Sequence, residues 1–378
     1  MAQKRMWTRD LKEGMVVKAD VFTRNGVIIV PARTVINQEV LELLARHSIR
    51  EVFVEVDAPK PAEPVVKPEP VKPIEAAPVP VVVPNFLEER EKAQRMEVFT
   101  ATFHVAEETL SQSLRELAYQ DKDVNIDQLL NMVNSVVAKA DNEVNLCDML
   151  FKMKQSAESL YAHAINVSLY AQLLARWIGL SAEEIELVGI AGLLHDIGLL
   201  KCQQEEEGIP IYFHDEHDNE VRIWERHVVY GYNMIKDKPL DIRVKQAVLT
   251  HHERMDGRGF PHQMDYRNIN TISKVLAIAD TYDTLTLIEP DYEPLSPFEA
   301  LRQLNYEYYL KLDADMIMTF VDRMAQNFIR YEVILSNGQR GRIVMINKHD
   351  QARPLVQVGD EFIDLSKQTD ITIIKLLS

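Results

Sequence analysis

Residues 181–201 read SAEEIELVGIAGLLHDIGLLK. Ser181 and Glu184 have the spacing of a capping box, in which a serine hydroxyl and a carboxylate three residues on satisfy the first free N–H groups of a helix. The run that follows is apolar at almost every position, so the helix it starts is predicted to be buried. His195 falls in line with Val188 and Gly192, and Asp196 is its neighbour. A carboxylate at the end of a buried helix is costly unless it is paired or bound to a metal.

The same breach of pattern recurs elsewhere. In LYAHAINVSLYAQLLARWIGL, His163 shares a stripe with Val167, Tyr170 and Leu174. In DIRVKQAVLTHHER, His251 follows Val244 and Val248, with His252 beside it. In ISKVLAIADTYDTLTLI, Leu276, Asp280, Asp283 and Leu287 fall on one face, and His227 stands in WERHVVYGYNMI between these segments. A lone histidine on an apolar face reads as a hydrogen-bonded core residue. Several together, with no run of lysine or arginine to neutralise Asp196, Asp280 and Asp283, read as a metal site. Imidazole mixed with carboxylate suits Zn, Mn or Fe. An aspartate shared by two ions is the usual device for making a bridging hydroxide, which suits phosphoester hydrolysis.

Composition agrees. The chain has 378 residues, 46% hydrophobic and 26% charged, which suits two or three domains rather than one core or a disordered chain. Its net charge of -16 argues against a DNA-coating surface, so any phosphate chemistry draws its positive charge from metal ions. Two cysteines, Cys147 and Cys202, exclude a disulfide framework and fit a cytoplasmic protein. Neither a signal peptide nor a membrane-inserted helix is expected.

The chain is expected to be mainly α. A small α+β accessory or sensor module occupies 1–57, with an Asn25-Gly26 hairpin signal, a short helix QEVLELLARHS and a strand REVFVEV. Nine of the seventeen prolines fall between Pro59 and Pro84, marking 58–84 as an extended linker. Residues 85–150 read as a helical connector, in keeping with the absence of glycine between Gly26 and Gly179. Residues 151–330 form the helical bundle that carries the histidines. Residues 331–378 read as a small β appendage whose first turn is the Asn337-Gly338 hairpin. The long helix from Asn85 leaves two readings open, a homodimer contact or packing on its own domain.

LLHDIG, ERHVVYG, THHERMDGRGFP and AIADTYDTLT, in that order, resemble the HD-GYP group of HD-domain phosphohydrolases over about 150–330. The resemblance implies a bacterial signalling enzyme that hydrolyses cyclic di-GMP to pGpG, and often GMP, with divalent iron or manganese. It implies His163, His195, Asp196 and Asp280 on one ion, and Asp196 bridging to a second held by His227 and His251. His252 and Asp283 line or complete the site. Catalytic roles fall on Asp196 and His252.

Four positions depart from the group. Leu199 replaces a lysine that contacts phosphate, and Lys201 is too far round a continuing helix to replace it. Phe260 replaces a tyrosine, keeping the ring and losing the hydroxyl. Glu289 to Glu293 bring negative charge where the group is basic. Ser159 stands where members with three metals carry a glutamate, and Glu158 points elsewhere, so two ions are expected. Arg254 and Arg258 are the candidates to restore substrate contacts alongside Phe260. The competing reading is a degenerate member that senses a nucleotide or docks to a GGDEF-type cyclase with little turnover.

Overall fold

The computed structural model describes residues 3–7, 11–12, 14–18, 21–22, 28–30, 34–36, 40, 51–55, 86–153, 159–205, 225–287 and 294–377. The Asn25-Gly26 turn, most of the QEVLELLARHS segment, the proline-rich stretch, Glu158 and Glu289–Glu293 lie outside them.

The chain divides into two compact units, 1–81 and 82–378. In the first, β1 (Gln3–Trp7) pairs antiparallel with β4 (Glu51–Glu55), and β2 (Val21–Phe22) pairs with β3 (Ile28–Val30). Its core gathers Leu11, Val17, Val21, Val30, Ile36, Val52 and Val54. Strand β4 lies where REVFVEV was expected. Strand β1 was not foreseen, because QKRMW is mostly polar and is held by main-chain pairing.

The second unit starts with α1 (Phe86–Gln120), followed by α2 (Ile126–Val137) and α3 (Glu143–Met153). Then come α4 (Leu160–Trp177), α5 (Ala182–Leu194), α6 (Leu199–Glu205), α7 (His227–Ile235), α8 (Ile242–Thr250) and α9 (Thr271–Leu285). Helices α10 (Pro297–Tyr306) and α11 (Ala314–Asn327) complete the helical body. An antiparallel sheet of order β8-β7-β6-β5-β9 closes the chain. Its strands are β5 (Glu332–Leu335), β6 (Arg340–Met345), β7 (Leu355–Val358), β8 (Glu361–Asp364) and β9 (Ile373–Leu377). The β5–β6 turn is the Asn337-Gly338 hairpin, with Gly338 at φ +82°.

One continuous core runs from Phe99 on α1 to Leu376 on β9. The stretches read as connector and appendage therefore share their interior with the helical bundle. Helix α5 explains why. Val188, Ala191, Leu193 and Leu194 are at most 1% exposed, and burying a large aliphatic side chain is worth about 1.5–3 kcal/mol. The expected capping box is present: Ser181 N donates to Glu184 Oε2 at 2.9 Å, and Glu184 N to Ser181 Oγ at 3.3 Å. Helices α4 and α5 cross closely, since a Cβ on Gly192 would lie 2.6 Å from Ser168 Cα. That crossing brings the His163 and His195 rings to 5.2 Å between centroids.

Candidate metal centre

Helix α5 ends at His195, a short turn follows, and α6 starts at Leu199. The turn swings Asp196 inward, where it is 4% exposed. Gly198 makes the turn fit, because a Cβ there would lie 1.9 Å from the His227 carbonyl oxygen.

Two groups of buried ligand atoms result, His163–His195–Asp280 and Asp196–His227–His251–His252. Asp196 faces both. Its Oδ2 lies 3.2 Å from His195 Nε2 and 3.7 Å from His163 Nε2. Its Oδ1 lies 3.2 Å from His227 Nε2 and 3.6 Å from His251 Nε2. Asp280 Oδ1 closes the first group, 3.3 Å from His163 Nε2 and 4.0 Å from His195 Nε2. The hydroxyl of Thr284 donates to the same oxygen at 3.4 Å.

The rings are held from behind. His195 Nδ1 donates to the Gly192 carbonyl at 2.7 Å, and His251 Nδ1 to the Val248 carbonyl at 3.0 Å. His163 Nδ1 lies 2.7 Å from Asp283 Oδ2. Each contact turns Nε2 and its lone pair toward the centre, the usual arrangement of metal-binding histidine. His227 Nε2 and His251 Nε2 are only 3.4 Å apart, close enough for one to donate to the other or for both to face one cation. His195 Nε2 and Asp196 Oδ1 are buried and make no hydrogen bond of good geometry, despite the close nitrogens. Ligand atoms sharing one divalent ion are about 3 Å apart, so the residues fit the ions expected from the sequence.

Electrostatics divides the histidines. Burial works against charge on His163, but contacts with Asp280 and Asp283 outweigh it and hold its pKa at about 10. Burial opposes charge on His195 as well, and Asp196 pulls it back up. Burial pushes His251 down to about 4 and His252 in the same direction, with neighbouring histidines adding to the effect. Burial would raise Asp196, yet His195, His227 and His251 hold it well below the usual carboxylate range.

Among the other expected site residues, Asp283 stands behind His163 rather than in either group. Phe260 stacks on His252 at 4.7 Å between centroids, so one ring face is already taken. Arg254 Nη1 donates to the carbonyls of His251 at 3.0 Å and Glu253 at 3.2 Å, bracing the double histidine from the main chain. Arg258 is exposed, with its backbone N–H on Asp256. Leu199 is fully buried, and Lys201 Nζ lies 4.8 Å from the centre of the Tyr230 ring. Helix α6 holds both Leu199 and Lys201, so the two residues stand about 200° apart around one helix and Lys201 does not take the place of a lysine at 199.

Sequence reading missed Glu253. Its buried carboxylate accepts His262 N at 2.7 Å and Met264 N at 2.8 Å, tying the glycine loop down beside His252. It noted Ser159 but missed its role, which is to cap α4 and donate its hydroxyl to Glu107 of α1. The signal available for Glu253 was a charged residue directly after two histidines expected to be buried.

Residues 145–316 match the HD domain family model. This chain is an HD-GYP family member. It is 28% identical over 255 residues to a cyclic di-GMP phosphodiesterase of Pseudomonas aeruginosa, covering 64% of this chain and 60% of that protein. It is 32% identical over 126 residues to 3'3'-cGAMP-specific phosphodiesterase 2 of Vibrio cholerae, covering 33% of this chain and 24% of that one. The matches thus span less than two thirds of these relatives. A solved structure of Bd1817, an HDG"Y"P protein from Bdellovibrio bacteriovorus, aligns with a TM-score of 0.49 at 13% identity, covering 84% of this chain and 98% of that one. Among the described residues, no helix is long and apolar enough to cross a membrane.

Proposed function

We propose that this HD-GYP member is a metal-dependent phosphodiesterase of cyclic dinucleotides, taking cyclic di-GMP to pGpG. Asp196 carries the reading, because its two oxygens face two separate groups of buried ligands. Two divalent ions, iron or manganese, when held by these groups supply charge neutralisation for phosphoryl oxygens and an activated water. Asp196 fixes the spacing of the two positions, and the Nδ1 contacts of His163, His195 and His251 keep their rings from turning. His252, kept neutral by burial, is suited to bind a cation. Phe260, half-buried beside it, is assigned to a base, and exposed Arg258 to a phosphate oxygen.

A second reading has its own support. Leu199 is buried, Lys201 is stacked on Tyr230 and Arg254 is engaged with carbonyls, so three positions that would bind a dianion are committed elsewhere. Charged hydrogen bonds contribute about 1.5–3 kcal/mol each, and losing two weakens binding by orders of magnitude. On this reading the domain senses a nucleotide, or docks to a GGDEF-type cyclase, with little turnover.

Anaerobic purification, metal analysis and turnover of cyclic di-GMP and 3'3'-cGAMP with added Fe(II) or Mn(II) separate the two. We expect two ions per chain and turnover that disappears in Asp196→Ala. Full occupancy without turnover of either dinucleotide favours the sensor, and activity surviving Asp196→Ala removes the assigned site.

A further inference from the structure

A cavity of about 420 Å³ opens away from the histidines, between α1, α3, the α11–β5 turn and the end of β9. None of the ligand groups described above lines it. Met96, Met149 and Leu377 give it an apolar side, and Val144 and Ile329, 52% and 37% exposed, extend that surface outward.

Its charge is the reverse of the chain's. The acids that line it are engaged: Asp148 with Lys152, and Glu332 with Arg340 and Arg342. Arg95 is paired with Asp141. Lys92 and Arg330 also line the cavity, and neither makes an ion pair among the described residues. Two cations with no ion pair among the described residues, beside methionine side chains on a chain of net charge -16, form a local positive field over an apolar surface.

Two further observations mark the same place. Arg330 has φ +78°, a left-handed conformation that glycine adopts without strain, and its N–H donates to the Ile343 carbonyl at 2.8 Å. Among the lining side chains, two donors, Asn327 Nδ2 and the Tyr331 hydroxyl, are buried without a hydrogen bond. Buried donors of this kind call for a partner.

We propose that this cavity binds a small amphiphilic anion, with its carboxylate or phosphate on Lys92 and Arg330 and its apolar or aromatic body against Met96 and Met149. The site is independent of the metal centre and of the reaction proposed for it. The ligand chemistry has two sources, an aliphatic carboxylate or a nucleotide monophosphate.

The test uses the full chain and 8-anilinonaphthalene-1-sulfonate, an aromatic body carrying one anionic group. Saturable binding of one probe per chain is expected. Arg330→Gly removes the guanidinium at a backbone position glycine accepts, and with Lys92→Ala it should weaken binding at least tenfold. Lys348→Ala, away from the cavity, should leave binding unchanged. Circular dichroism and metal content establish that each variant is folded. Displacement by decanoate identifies the carboxylate source, and displacement by GMP the nucleotide. Equal binding to the double variant, equal binding of the uncharged N-phenyl-1-naphthylamine, or displacement by neither competitor overturns the proposal.

Discussion

Asp283 Oδ2 lies 2.7 Å from His163 Nδ1, while His163 Nε2 faces Asp196 and Asp280. The imidazole is thus clamped between a fully buried carboxylate behind and the ligand group in front. Asp283 fixes the ring's orientation and raises its basicity. Asp283→Asn keeps the shape and loses the charge, so affinity for the ion in the His163 group should fall about 10- to 100-fold. The His227–His251 group should keep its ion. Titration of the stripped protein with Mn(II), followed calorimetrically, reads the two sites separately. Equal loss at both would show that Asp283 acts on the fold rather than on His163.

The histidines also set a pH profile for the metal-free protein. Below about pH 6.5 the unfolded chain protonates its histidines, whereas burial keeps His251 neutral down to about 4 and His252 in the same sense. The unfolded state then holds more protons, so stability falls as the pH drops from 6.5 toward 4. Protonation of Asp196 and Asp280, both held below their usual value of 3.8, extends the loss to still lower pH. Above 6.5 the sign reverses. Folded His163 keeps its proton to about 10 while the unfolded chain gives it up, and stability declines through that range. Melting midpoints of chelator-stripped protein should therefore peak near pH 6.5. Metal replaces the proton on His163, so Mn(II)-loaded protein should keep its midpoint on the alkaline side and lose it only in acid. A stripped protein whose midpoint rises steadily from pH 6.5 to 9 would contradict this.

Gly198 is the tightest point of the turn between α5 and α6. A Cβ there meets the His227 carbonyl oxygen at 1.9 Å and Gly231 N at 2.6 Å, both backbone atoms that cannot rotate away. Gly198→Ala should push α7 and His227 outward, costing about 3 kcal/mol or more and emptying the His227–His251 position first. Gly338→Ala is a useful contrast, since that hairpin position has φ +82° but open space around it. Strain alone should cost it about 1 kcal/mol with no effect on metal. Urea unfolding and metal analysis distinguish the two outcomes.

The helices that carry ligands were legible because burial and periodicity are local properties. The Ser181–Glu184 box, the stripe through His163 and the Asn337-Gly338 turn each lie within a few residues of what they determine. The partners of those residues were not legible, because they depend on contacts across the fold. Asp283 carries the same local pattern as Asp280 on α9, yet the roll of that helix against α4 aims one at Nδ1 and the other at Nε2 of His163. Likewise, nothing near Ser159 indicates Glu107, 52 residues earlier. Strand β1 escaped for a different reason: its sequence is polar and its pairing with β4 is a main-chain property.

The group's phosphate-binding lysine is Leu199 here, and the structure gives a physical reason why restoring it is not a simple repair. Leu199 is 0% exposed, belongs to the continuous core, and donates its backbone N–H to the Asp196 carbonyl at 2.9 Å. A lysine there must either bury an ammonium among apolar side chains or pull α6 away from the body to reach water. Leu199→Lys should therefore destabilise the protein by about 3 kcal/mol or more, while Leu199→Met, of similar volume, should cost under about 1.5 kcal/mol. Because Asp196 precedes the same turn, the lysine variant should also lose metal before it unfolds globally. Unfolding in urea, metal content and cyclic di-GMP binding measured on both variants decide the point. A lysine variant that is as stable as the parent and binds the dinucleotide more tightly would mean that the side chain turns toward the site and that its absence, rather than the packing of α6, limits binding.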